Sequence, residues 1–292
     1  MDKDAAWQSA ALVRIGARPG ATRWIGLGVS MFGGTWRLES GDDRYFVKSH
    51  PASRLDALEA EADGLRELSR AGAIRVPMPI VCASVGEYAF LALEWLDFAR
   101  GGRDAALGAG LAQLHRITSD SYGWRRDNTI GATPQDNACG NGWAAFFRDR
   151  RIGRQLALAA RNGAEGRLQR DGERLLAAIP VLLAGHAPAA SLLHGDLWSG
   201  NAARCASGEP AIFDPAIYFG DREADLAMTE LFGGFDSDFY AAYRAAWPID
   251  AGYPARRTLY NLYHVLNHFN LFGGGYGNQA QTMIVRLLAE AG

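Results

Sequence analysis

The chain has 292 residues, 48% of them hydrophobic, and a formal net charge of −2 from 30 Lys and Arg against 32 Asp and Glu. Acids and bases are interspersed, which excludes the basic face that a nucleic-acid backbone requires, and no apolar run approaches the roughly 18 residues needed to cross a bilayer. A chain of this size buries a substantial core and suits two lobes better than one compact domain.

The start, Met1-Asp-Lys-Asp-Ala-Ala-Trp, lacks the basic-then-apolar order of a secretory signal. Cys82, Cys139 and Cys205 are odd in number, far apart and without C-x-x-C spacing. A cytoplasmic protein with reduced thiols, acting on a small molecule or a modified side chain, is the expectation.

Residues 24–48 read as strands around a Gly-containing turn, ending in Tyr45-Phe-Val-Lys48. A hairpin that covers phosphates fits here, with Gly33 and Gly34 as candidate contacts. Gly28-Val-Ser-Met-Phe-Gly33-Gly34-Thr35 nearly copies a Walker A loop, but Gly34 stands where the lysine must be and a strand follows, so that reading is rejected. Lys48 closes a strand-like run, as does the kinase lysine that holds the α- and β-phosphates while paired to a glutamate on the next helix. The segment Leu55–Arg70 is helical in pattern and carries two candidates, Glu59 and Glu61.

Ile80–Ser84 and Tyr88–Leu93 alternate as a hairpin around Val85-Gly86-Glu87, then lead into Glu94-Trp-Leu-Asp97 and a Gly101-Gly102 loop. This reads as the connection between lobes, where backbone groups of Glu94 and Leu96 could meet an adenine edge. The boundary falls between 1–95, a nucleotide-binding lobe, and 96–292, a catalytic and acceptor-binding lobe. Helical patterns follow at Asp104–Ile117, Trp143–Ala160, Leu168–Leu183, Glu223–Phe232, Phe239–Ala246 and Ala255–Phe272. The class is therefore α+β: a small antiparallel-sheet N-lobe with one main helix, and a larger, mostly helical C-lobe.

Ser191-Leu-Leu-His-Gly-Asp-Leu-Trp-Ser-Gly-Asn201, followed by Ala211-Ile-Phe-Asp214, carries the chemistry. Transfer of a γ-phosphoryl group needs a carboxylate to orient and deprotonate the attacking hydroxyl, plus oxygen ligands for a Mg²⁺ that bridges the phosphates. Asp196 suits the first role. Asn201 follows five positions later, the interval of the protein-kinase catalytic loop, and Asp214 ends an apolar run as the metal-binding Asp of those enzymes does; these two read as the Mg²⁺ ligands. An isolated His-Gly-Asp is usually a turn, but three such groups between two β-like runs point to an ATP-dependent kinase. His194 fits loop shaping better than substrate contact, although it lies close enough to be kept as a substrate candidate. Trp143, Trp198 and Tyr218 could wall a sugar pocket; buried aromatics are usually core, and Trp198, inside the loop, is the candidate retained. His264 and His268, four apart, lack a third ligand and read as packed histidines, as does His115.

The motifs Glu59-Ala-Glu-Ala-Asp-Gly-Leu-Arg-Glu-Leu, Leu114-His-Arg, Tyr122-Gly-Trp-Arg-Arg-Asp-Asn-Thr-Ile-Gly131, Pro134-Gln-Asp-Asn137, His194-Gly-Asp-Leu-Trp-Ser-Gly-Asn201, Asp214-Pro-Ala-Ile-Tyr and Asp221-Arg-Glu-Ala-Asp-Leu-Ala-Met-Thr-Glu-Leu-Phe-Gly-Gly-Phe235 together resemble the fructosamine kinase (ketosamine 3-kinase) family, a branch of the protein-kinase-like phosphotransferases. They span roughly residues 20 to 275. The resemblance implies a bilobal kinase-like fold, ATP and Mg²⁺, and phosphorylation of the sugar 3-hydroxyl of fructosamine, ribulosamine or erythrulosamine adducts, free or on a glycated protein side chain; the resulting 3-phosphate is unstable and releases the amine. By analogy with related small-molecule kinases, Glu61 is the partner of Lys48. A monomer or weak dimer is expected, with no nucleic acid and no membrane. One departure is the phosphate loop: the family's opens with a run of glycines, whereas here they are displaced. The nearest alternative is a kinase of the aminoglycoside or choline type, since the phosphate machinery is shared and only the acceptor pocket differs. A catalytically silent nucleotide-binding protein sits poorly with Lys48, Asp196, Asn201 and Asp214 together, and no G-x-S-x-G elbow supports a serine hydrolase.

Overall fold

The computed structural model describes residues 3–17, 22–30, 32–99 and 103–292. Met31 of the Walker-like segment and the Gly101-Gly102 loop lie outside the described residues.

Helix α1 (Lys3–Ile15) precedes three strands, β1 (Thr22–Ser30), β2 (Gly33–Ser40) and β3 (Asp43–Pro51). A 3₁₀ turn at Ala52–Arg54 leads into α2 (Leu55–Ala71), and β4 (Pro79–Val85) and β5 (Tyr88–Glu94) complete an antiparallel sheet in the order β1-β2-β3-β5-β4. Both faces of this sheet are covered. Successive residues of β5 alternate between them: Phe90 and Ala92 join a cluster with Trp7, Leu38 and Val47 under α1, while Ala89, Leu91 and Leu93 pack with Leu58, Leu65 and Leu68 under α2. A strand buried on both sides reads as an apolar run, as Ala89-Phe-Leu-Ala-Leu93 does.

Trp7 is the centre of the α1 side. It is 2% exposed, and its ring lies 5.3 Å from Trp24, 6.1 Å from Trp36 and 5.7 Å from Tyr88. Trp7→Ala is expected to cost about 3–5 kcal/mol of stability through lost burial and a residual cavity. Chemical denaturation measures this, and an unchanged midpoint would mean that α1 does not seal the sheet.

The second half wraps helices around short strands. In chain order these are β6 (Phe98–Ala99), α3 (Ala105–His115), β7 (Thr118–Ser119), β8 (Asn128–Ile130), β9 (Thr133–Gln135), α4 (Trp143–Phe147), α5 (Gly153–Arg161), α6 (Arg167–Leu182), β10 (Ala190–Leu193), β11 (Ala202–Cys205), β12 (Pro210–Ile212), β13 (Tyr218–Gly220), α7 (Glu223–Leu231), α8 (Ser237–Ala246), α9 (Tyr253–Phe272) and α10 (Tyr276–Ala291). The small sheets run β13-β10-β7, β12-β11-β6 and β8-β9. Helix α9 is the axis of this half, with Leu259, Leu262, Val265 and Leu266 all buried, and α10 packs against α9 and α6. No helix among the described residues is long and apolar enough to cross a membrane.

The α+β class and the division into a sheet-bearing part and a helical part agree with the sequence reading. Two helices were not expected. Among the described side chains of α1 only a narrow stripe, Trp7, Ala11 and Ile15, is buried, and of α10 only Ala280, Ile284 and Leu287, too few apolar positions to declare a period. The glycines at 273–275 also read as an end and hide the new start. The single helix expected over Trp143–Ala160 is α4 and α5 joined by a π-helical turn at Arg148–Ile152, which turns Arg151 wholly inward.

Candidate active site

Alternation along β3 sends Phe46, Lys48 and His50 into a cleft of about 340 Å³ between the two halves. Lys48 Nζ lies 2.8 Å from Glu61 Oε1 and 2.6 Å from Asp214 Oδ1. Burial opposes the ammonium charge, but the two carboxylates outweigh it and hold the Lys48 pKa above its ordinary value. Of the two candidate glutamates on α2, Glu59 and Glu61, it is Glu61 that meets the lysine. The helix is held in place from the other half: Arg126 donates to Asp63 Oδ2 at 2.8 Å and to Asp56 Oδ1 at 2.6 Å, which explains the Gly-Trp-Arg-Arg-Asp-Asn motif as a brace.

The loop after β10 is fixed mainly by one buried residue. Asp225 on α7 accepts from the backbone N–H of His194 at 2.7 Å and of Gly195 at 2.9 Å, and its carboxylate also meets His115 Nε2 at 3.2 Å. Burial alone would raise the Asp225 carboxyl, but His115 and these donors hold it below the usual range. Gly195 has φ +82°, and a Cβ there would lie 2.0 Å from the Ala216 carbonyl oxygen, so only glycine fits. His194 is fully buried, kept neutral by that burial, and its Nε2 lies 3.0 Å from the Phe213 carbonyl oxygen. This corrects its placement among the substrate contacts: the ring ties the loop to the segment before Asp214 and has no face on the cleft.

Asp196, Trp198, Asn201 and Asp214 all line the same cavity as Lys48. Asn201 donates from Nδ2 to the Asp196 carbonyl oxygen at 2.9 Å and approaches Asp196 Oδ2 at 3.4 Å. Asp214 is the one non-glycine among the described residues with positive φ, +55°. That conformation carries strain for most side chains but is tolerated by Asp, and here it directs the carboxylate back toward Lys48. The following turn is held by amides: Asn128 Nδ2 donates to the Ile217 carbonyl at 2.8 Å and Gln135 Nε2 to the Ala216 carbonyl at 3.0 Å. Trp198 is 41% exposed, whereas Trp143 and Tyr218 belong to the core.

The Asp196 carboxyl is held far above its ordinary range. Burial, then the charges of Asp214 and Asp225, push its pKa up to about 7. An acid whose folded pKa exceeds its unfolded value of about 3.9 favours the folded state below that value and loses the contribution as pH rises through 7. Asp196→Asn is therefore expected to stabilise the ligand-free protein by about 1–2 kcal/mol at pH 8 and far less at pH 5. Thermal melts at the two pH values test this; an equal shift at both would remove the electrostatic cause.

A second, more apolar cavity of about 460 Å³ adjoins the first and shares Phe46 and Asp214 with it; Leu27, Leu93, Trp95, Leu96 and Phe213 are among its walls. Two expectations change here. The Glu94 N–H is already given to the Met78 carbonyl at 2.8 Å and its carboxylate to Arg75, so its donor is not available to a nucleotide, while among the described residues the backbone N–H of Leu96 has no hydrogen bond. Gly33 and Gly34 are strand residues of β2, paired with Ser30 and Val29, and do not line the cleft. A Cβ on Gly33 would lie 1.8 Å from the Ser49 carbonyl oxygen, so close packing of β2 on β3 is what requires that glycine.

Among the described residues, one grouping outside the cleft has metal-ligand chemistry, His186 with Asp221 and Glu223. Its groups are already partnered: Arg256 makes two bonds to Glu223, at 2.7 and 2.9 Å, and His186 lies 2.6 Å from Asp221. It anchors the start of α7, and so Asp225. His264 and His268 form no metal grouping among the described residues; His268 Nδ1 lies 2.8 Å from the His264 carbonyl.

The family model described as fructosamine kinase matches residues 21–290. The chain belongs to the fructosamine kinase family. A protein of Synechocystis sp. named as a probable ketoamine kinase is 49% identical over 254 residues, 86% of this chain and 85% of that protein. The chloroplastic protein-ribulosamine 3-kinase of Arabidopsis thaliana is 40% identical over 246 residues, 82% of this chain and 74% of that protein. A crystal structure from Haemophilus somnus, provisionally named a fructosamine-3-kinase, superposes with a TM-score of 0.86 at 27% identity and covers 97% of both chains. Within this fructosamine kinase fold, sequence reasoning missed Asp225 and its contact with His115, which it read only as a packed histidine. Both stand inside motifs quoted above, Asp221-Arg-Glu-Ala-Asp and Leu114-His-Arg, but nothing in their spacing reveals that one carboxylate orders the loop from a distant helix.

Proposed function

We propose that this chain is an ATP-dependent ketosamine 3-kinase, in which Asp196 takes the proton of the sugar 3-hydroxyl and Lys48, braced by Glu61, steadies the nucleotide phosphates. The observation that carries the reading is the meeting of Asp196, Asn201, Asp214 and the Lys48–Glu61 pair in one cleft. The apolar cavity beside Leu96 suits an adenine ring, with the connection after residue 95 serving as the hinge between lobes.

Asp214 and Asn201 offer the carboxylate and carboxamide oxygens that a hard divalent cation requires, so these two residues would hold Mg²⁺, whose positive charge would offset that of the phosphates. Asp196, raised to about 7, is a base matched to neutral pH. Asp225 acts at one remove, fixing the loop that aims Asp196. Trp198, half-exposed at the cavity wall, offers an apolar face for the sugar ring or its amine substituent. Because the transition state of phosphoryl transfer is loose, positioning and charge stabilisation supply most of the acceleration.

The test is ATP consumption with a panel of ribulosamines, erythrulosamines and fructosamines against choline and aminoglycosides. Turnover confined to the ketosamines is expected. Turnover confined to choline or an aminoglycoside would move the protein to the alternative class of small-alcohol kinases.

A further inference from the structure

Three side chains in the catalytic cavity carry basic nitrogen: Lys48, His50 and Arg54. Lys48 is committed to Glu61 and Asp214, and His50 is held neutral near neutral pH, its pKa lowered to about 4 by burial and by the Lys48 and Arg54 charges. Among the described residues Arg54 makes no ion pair. Its Nη2 reaches the Ala132 carbonyl at 3.5 Å, the limit of a hydrogen bond, and its buried Nε has no partner. The guanidinium carbon sits over the ring of Phe32, 3.6 Å from its centroid, at the tip of the β1–β2 hairpin. A stacked guanidinium is fixed in orientation while its N–H groups stay free for an anion.

Chain direction gives the position along the cleft. Tyr45, at the start of β3, pairs with Glu94 at the hinge; Lys48 pairs with Leu91 further along, and Pro51 at the strand end pairs with Tyr88, just before the turn that carries Arg54. The order from the hinge is therefore apolar cavity, Lys48, Arg54. A nucleotide with its base at the hinge and its α- and β-phosphates at Lys48 brings its terminal phosphate to the Arg54 end.

We propose that Arg54 binds the terminal phosphoryl oxygens of the bound triphosphate and is the cation in this cleft that distinguishes ATP from ADP. The proposal rests on the kinase reading above. A cation there meets charge as it spreads over the equatorial oxygens of the transferring group. The competing role is mechanical: Arg54 spans from Phe32 to Ala132 in the β8–β9 turn, and could clasp the two halves with no contact to nucleotide.

Calorimetric titration of ATP and of ADP, each with Mg²⁺ and no acceptor, onto the full chain separates the two. Arg54→Gln keeps a planar donor and removes the charge. It is expected to weaken ATP by about tenfold, the loss of one charge-assisted pair, and ADP by less than about twofold, with Arg54→Lys recovering part of the ATP affinity. Parallel weakening of both nucleotides would make Arg54 a clasp and overturn the proposal, as would no change in either. If the unsubstituted chain binds neither nucleotide, the kinase reading itself falls.

Discussion

Asp196→Ala is expected to bind Mg·ATP as the unsubstituted chain does and to lose roughly 10²–10⁴-fold in turnover, the span of general-base catalysis by a positioned group. The separation follows from where the residue sits. Lys48 is paired to Glu61 and Asp214 rather than to Asp196, so removing Asp196 leaves the phosphate-holding pair intact and, by relieving a crowded acid, should not weaken the fold. The pH profile gives the same residue a second signature. A base raised to about 7 by burial and by Asp214 and Asp225 must lose its proton to act, so kcat/KM should rise with pH through the neutral range and level off above it. Near-normal turnover in Asp196→Ala, or a flat profile, would take the proton transfer away from this carboxylate.

Asp214→Asn is expected to act on a different step. Asparagine tolerates the positive φ of this position and keeps the side-chain shape, but it removes the charge that faces Lys48 at 2.6 Å and that is offered to the metal. A loss of roughly 10²–10³-fold in turnover, in the range seen when one electrostatic contact to developing charge is deleted, should come with a shift of the Mg²⁺ dependence to higher concentration. Titration of activity against Mg²⁺ at saturating acceptor measures both. An unchanged Mg²⁺ requirement would place the metal elsewhere.

The residues proposed to carry the chemistry are local in sequence and were readable there. Asp196, Asn201 and Asp214 sit within nineteen positions, the first two between the apolar runs that form β10 and β12 and Asp214 just after the second. Lys48 and Glu61 were readable through strand alternation, helix pattern and the resemblance to known kinases. What could not be read depends on groups distant in the chain. Asp225 reaches the loop from α7, across some thirty residues, and a buried aspartate on a helix has no distinctive spacing. His194 was kept as a substrate candidate because it adjoins the proposed base Asp196 in sequence, whereas its buried ring points to the Phe213 carbonyl. Gly33 looked like a phosphate-loop glycine because close backbone approach demands glycine whatever the second surface is; here that surface is Ser49 of β3. Helices α1 and α10 bury too narrow a stripe to stand out.

The most direct measurement is phosphorus NMR of the product formed from ATP, Mg²⁺ and a synthetic ribulosamine. The account requires a new phosphomonoester resonance coupled to the proton on carbon 3, decaying as amine is released, and absent with Asp196→Ala. A phosphate on any other oxygen, or its formation unimpaired by that substitution, would contradict the chemistry assigned to this cleft.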